Sequence, residues 1–121
     1  MFPSYVLENL YVKNSLQNNA NGFELKLKNN IESGTITGLG PILVDGESYA
    51  VDNVTLKVKD KEIKADQISR SSPLSVYVLS EIEININANP LSPGEHQVGF
   101  VINTLEAGQL QFSITDVVVE K

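Results

Sequence analysis

The sequence predicts an all-β domain: a single immunoglobulin-like antiparallel β-sandwich of about seven to nine strands. Three observations carry this. Short stretches alternate apolar and polar side chains with a period of two, as in Phe23, Leu25, Leu27 against Glu24, Lys26, Lys28. Turn residues separate these stretches at short intervals, Asp45-Gly46 and Ser92-Pro93-Gly94 being the clearest. Only Ala65–Ser69 offers a helical turn, and five residues are too few to stand as an independent helix.

The strand beginning at His96 is the best supported. Pro93 fixes φ for the first corner of a turn and Gly94 takes the positive φ that follows. His96, Val98, Phe100 and Ile102 then share one face, and Gln97, Gly99, Val101 and Asn103 the other. A turn of the form L-x-P-G before such an alternation is common at the central strand of immunoglobulin-like sandwiches.

In chain order, Tyr5–Val12 is expected to be a first strand of mixed pattern, and the Asn-rich Asn14–Asn21 a loop. Gly22–Lys28 reads as a strand with one face in a core and one in water. Ile31–Leu39, interrupted by Gly34 and Gly38, should be short or bulged. Pro41–Val44 and Glu47–Ala50 form a hairpin about Asp45-Gly46, and Val54–Val58 returns through Glu62–Lys64. Leu74–Leu79 suits a sheet edge or a short strand. Glu81–Asn87 places Ile82, Ile84 and Ile86 inward, and Asn89-Pro90 ends it, since Pro offers no N–H to a ladder. Past a turn at Glu106-Ala107-Gly108, Leu110, Phe112 and Ile114 share a face. Val117–Val119 reads as a break in that register, a bulge or an interface. The expected core is Phe23, Leu25, Leu27, Leu56, Ile82, Ile84, Ile86, Val98, Phe100, Ile102, Leu110, Phe112 and Ile114.

At 121 residues the chain is expected to form one domain, residues 1–121, and is long enough to bury a core without metal or disulfide. It has no cysteine, which removes thiolate metal sites and cysteine nucleophiles. A net charge of −6 with scattered basic residues argues against nucleic acid and against an anionic membrane. The N-terminal MFPSYVLENLYVK lacks a basic region and a long apolar run, so the expectation is a soluble cytoplasmic protein. Asn53-Val54-Thr55 fits a glycosylation pattern and is read as a loop-to-strand junction.

His96 is the sole histidine, the only side chain whose ordinary pKa lies near neutrality. It would need a partner that the sequence does not name, and a rim or structural role is favoured. There is no G-x-S-x-G elbow and no Gly-rich phosphate loop, and one histidine without cysteine does not make a zinc site. The loop acids Asp45, Glu47, Asp52, Asp60 and Asp66 lack the clustering of a calcium loop. No cofactor, metal ligand or catalytic residue is assigned. Tyr49 and Tyr77 are candidate interface aromatics, and Val117 with Val119 a candidate pairing edge.

Five motifs follow one another in an order that resembles a known group. They are Gly22-Phe23-x-Leu25-x-Leu27, Val44-Asp45-Gly46-Glu47, Val54-Thr55-Leu56-x-Val58, Pro73-Leu74, and Pro90-Leu91-Ser92-Pro93-Gly94-Glu95-His96. Together they are similar to the small β-subunit-like proteins of C-glycoside deglycosylation enzymes and their relatives. The resemblance implies a β-sandwich subunit beside a larger (β/α)₈ barrel subunit that holds the metal and the catalytic residues, none of which maps here. Small proteins of this look have also been labelled hydroxymethylglutaryl-CoA reductase. A one-histidine β domain without a nucleotide-binding region is not expected to run that reaction.

The function expected from the sequence is therefore a non-catalytic binding or accessory module with a protein partner or a second copy. The alternatives are a small carbohydrate- or acyl-processing enzyme using His96, and a self-associating structural protein.

Overall fold

A computed structural model describes residues 3–119. Two antiparallel sheets pack face to face, the sandwich that the alternation predicts. The strands are β1 (Gln17–Asn19), β2 (Gly22–Lys28), β3 (Gly34–Leu39), β4 (Ile42–Val44), β5 (Glu47–Tyr49) and β6 (Val54–Val58). They continue with β7 (Lys61–Lys64), β8 (Leu74–Val76), β9 (Glu81–Asn87), β10 (Glu95–Thr104) and β11 (Gly108–Val117). The count exceeds nine because β1, β4, β5 and β8 are three-residue pieces. The first sheet runs β1-β2-β9-β6-β7 and the second β5-β4-β10-β3-β8, with β11 also on β10.

The register brings the apolar rows together. Phe23, Leu25 and Leu27 pair with Ile86, Ile84 and Ile82, and all six are buried. Opposite them lie Val98, Phe100 and Ile102 of β10 with Phe112 and Ile114 of β11, also buried. Phe100 and Phe112 are direct cross-strand partners, their rings stacked with centroids 5.1 Å apart. Leu110, expected in the core, is only half-buried because it lines an opening at the far end.

The turns follow their chemistry. Asp45 and Gly46 have φ of +52° and +87°, the two positive values of a type I′ hairpin. Gly94 has φ of +113°. Gly22 cannot be replaced, since a Cβ there would lie 2.1 Å from the Ile86 carbonyl oxygen. β3 carries the expected irregularity: Asn103 faces Gly38 and Thr104 faces Ile36, which leaves Thr37 as the extra residue. Ala65–Gln67 is a short 3₁₀ turn.

Other expectations change as well. Ala65–Ser69 is not alone in being helical, since Val51–Asn53 also forms a 3₁₀ turn. Tyr5–Val12 is not a strand. Ser4–Glu8 is a short helix, α1, opened by bonds from the Val6 and Leu7 N–H to the Pro3 carbonyl. Leu7 and Leu10, three apart, are buried as a helical turn would bury them. Tyr11 and Val12 then meet β2, where the Val12 N–H donates to the Lys26 carbonyl at 3.0 Å. Asn14–Asn21, expected as a loop, contains β1.

Val117–Val119 does not break the register of β11. The ladder with β10 is unshifted to the Glu95–Val117 pair. Asp116 occupies an inward position, and Val118, 4% exposed, occupies the next. The sequence suggested a break because an acid stood where an apolar residue belonged. That carboxylate is satisfied: Oδ2 accepts from the Tyr11 hydroxyl at 2.7 Å and the Asn14 N–H at 2.9 Å, and Oδ1 from the Val117 N–H at 2.8 Å. Val119 crosses to the first sheet, its N–H donating to the Leu16 carbonyl at 2.8 Å in a parallel bridge beside Gln17. The tail therefore closes the side of its own sandwich.

Phe100→Ala removes a ring that is 2% exposed and should cost about 3–5 kcal/mol of stability, read from the urea midpoint.

Candidate functional site

His96 enters the site by alternation, as the inward residue at the start of β10, and is 7% exposed. A buried imidazole must find partners for both nitrogens. Nδ1 lies 2.6 Å from Asp45 Oδ2, and Nε2 lies 2.7 Å from the Ser92 carbonyl oxygen. Both partners are acceptors, so the site favours the imidazolium, the form that donates through both ring nitrogens. The charge is matched by Asp45, whose other oxygen accepts from the Gln97 N–H at 2.9 Å.

Two turns deliver these partners. The Asp45-Gly46 tip bends over the end of the second sheet, anchored by the Asp45 N–H to the Gln97 carbonyl at 2.8 Å. The Ser92-Pro93-Gly94 turn supplies the carbonyl from the other side. Asp45 and His96 are 51 residues apart, so no local spacing links them. The available signal was indirect: a lone inward histidine needs a polar partner, and a hairpin-tip aspartate is free to supply one.

The electrostatics follow. The Ser92 carbonyl, then the Asp45 carboxylate, raise the His96 pKa above 6.5. The Gln97 N–H, then His96, hold the Asp45 carboxyl below its ordinary value. Across the ladder from His96 stands Asp116. Burial works against its charge, yet the donors from Asn14, Tyr11 and Val117 keep its pKa low. Burial, then the bond to Asp116, push the Tyr11 phenol up to about 12.

Among the sequence candidates, Tyr49 alone joins His96. Both line a polar hollow with Asp45, Glu47, Asn53, Asn87 and Asn89. The Tyr49 ring packs edge-on against Phe23, centroids 5.5 Å apart, and burial, then Glu47, raise its pKa. Tyr77 lies at the opposite end and is 63% exposed. Val117 and Val119 are partly exposed along the side. Sequence reasoning missed Asp45 as the histidine's partner and the Tyr11–Asp116 pair beside it.

Chemically the arrangement is a brace. Nε2, the atom that would accept a proton from a nucleophile, is occupied by a backbone carbonyl. Among the described residues, no three His, Asp or Glu side chains gather as metal ligands. Among them, no helix is long and apolar enough to cross a membrane.

Residues 6–119 match the family described as hydroxymethylglutaryl-CoA reductase, N-terminal domain. The chain belongs to that family. This is the label that the sequence reading set aside on chemical grounds, and it is not the group that the motif order resembles. No curated protein matches the chain. Among solved structures, a family 123 glycoside hydrolase from Clostridium perfringens, described for glycolipid glycan hydrolysis, is similar at 13% identity and a TM-score of 0.39. The match covers 83% of this chain and 21% of that one, so the chain spans about a fifth of that enzyme. Neither number supports a shared activity.

The brace predicts a pH dependence. A folded pKa raised above 6.5 means that the His96 contribution is full below about pH 6.5 and is lost as pH rises through the folded value. Asp45 acts oppositely: its share is present above 3.8 and is lost as pH falls through its lower folded value. Melting temperature should therefore decline as pH rises past neutrality, and His96→Gln should flatten that decline. In Asp45→Asn the imidazole pKa, followed by NMR titration, should fall yet stay above 6.5 because the Ser92 bond remains.

Proposed function

We propose that this domain is a non-catalytic binding module, a member of the reductase N-terminal-domain family that works through contacts with another protein. The observation that carries the reading is the double occupation of His96. The sole imidazole of the sequence has both nitrogens engaged, Nδ1 by the Asp45 carboxylate and Nε2 by the Ser92 carbonyl, which leaves neither open to a substrate. Its hollow contains acids and amides but no hydroxyl hydrogen-bonded to the imidazole as a nucleophile.

The family description supports the same reading, since it names an N-terminal domain of an enzyme. A module of that kind stands beside a catalytic unit, and a larger enzyme subunit is the partner we assign. A chain without cysteine suits the reducing cytoplasm.

Glycoside, ester and thioester substrates presented to the purified chain should show no turnover above background. Turnover that disappears in a folded His96→Gln variant would overturn the proposal.

A further inference from the structure

The end of the sandwich away from His96 carries an apolar projection and an apolar hollow side by side, both bordered by charged residues. The projection is the bend after β8. Tyr77, Val78 and Leu79 are 63%, 47% and 65% exposed, three large apolar side chains in a row. Leu79 has φ of +70°, a left-handed backbone that is strained for a residue with a Cβ and suits glycine. The bend is pinned by the Leu79 N–H on the Asn29 carbonyl at 2.5 Å and the Val78 N–H on Ser33 Oγ at 3.0 Å. A glycine would suit that backbone better, and folding gains little from an exposed leucine.

The hollow opens beside it. Asn29 and Ser33, which hold the bend, also line its mouth. Its volume is about 100 Å³, and its walls include Leu27, Ile36, Ile82 and Ile102. It is comparable with the roughly 150 Å³ apolar cavity known to take up benzene or xenon, so it has room for one aliphatic side chain. The charges of the two features are complementary. Lys26, Lys57 and Lys59 surround Val78 and Leu79 together with Glu81 and Glu83. Glu32 and Glu106 stand at the hollow with Lys28. The projection is thus net positive and the hollow net negative. Leu105, 60% exposed, adds a further apolar side chain next to Glu106 of the hollow.

We propose that this end is the interface of a two-fold symmetric dimer, in which Leu79 of each copy enters the hollow of the other. A two-fold interface requires one patch to be self-complementary, and a projection adjacent to a matching hollow is such a patch. The proposal goes beyond the binding-module reading and does not depend on it, since its partner is a second copy of this chain. A catalytic chain could form the same dimer, so a turnover result and a mass result fail separately.

Sedimentation equilibrium of the full chain should give twice 13.2 kDa with rising concentration. Leu79→Gly should raise the dissociation constant about thirtyfold or more, as loss of a central anchor does, with a melting temperature equal to or above the parent's. Ala107→Trp, at the mouth of the hollow, should weaken the homodimer similarly. Mixing the two variants should restore a heterodimer tighter than either homodimer, because one Leu79 and one open hollow remain. A parent chain that stays monomeric to about 1 mM, beyond which association is negligible, would overturn the proposal. So would a Leu79→Gly variant that dimerises like the parent, or variants that do not complement.

Discussion

Every strand of the second sheet joins β10 directly or through one neighbour. Along one edge it pairs with β11 over ten registered positions, and along the other with β4 and then β3. β5 and β8 hang on those two in turn. The inward side chains of β10 are Val98, Phe100 and Ile102, and they pack on the Phe23-Leu25-Leu27 and Ile82-Ile84-Ile86 rows of the first sheet. The removal of these faces from water is the main favourable term. The backbone hydrogen bonds of β10 decide which faces meet.

That constraint has a consequence at the strand's first turn. The same alternation that buries Val98 and Phe100 also buries His96, and across the ladder it turns Asp116 inward. Polar groups in such positions are costly unless bonded. Here each is answered from another part of the chain: His96 by Asp45 and Ser92, Asp116 by Tyr11, Asn14 and Val117. No buried side-chain nitrogen or oxygen among the described residues is left without a partner. An Asp–His pair at 2.6 Å has the look of catalytic machinery. Its geometry does the work of a tie between two turns.

The two ends of the sandwich thus differ in kind. One is polar, charged and internally satisfied. The other carries exposed apolar side chains around an apolar hollow, with a leucine held in a backbone conformation that suits glycine. In the dimer we propose, that strained backbone serves the contact with the second copy. The family match places residues 6–119 in the family described as hydroxymethylglutaryl-CoA reductase, N-terminal domain.

Much of the fold was legible in the residues. Phe23 to Leu27, Ile82 to Ile86 and Val98 to Ile102 declare their strands by alternation, and Asp45-Gly46 and Pro93-Gly94 declare their turns, because pleat and turn are local properties of a few bonds. Leu7 and Leu10 were not legible as helix, since one short turn leaves too little periodicity to outweigh a mixed pattern. Asp116 masked a continuing strand because its partners come from the far end of the sequence. The Asp45–His96 brace, and the meeting of the Leu79 bend with the hollow beside Ser33, depend on strand order. Sheet order is set by which faces bury the most together, a property of the whole chain that no single stretch contains.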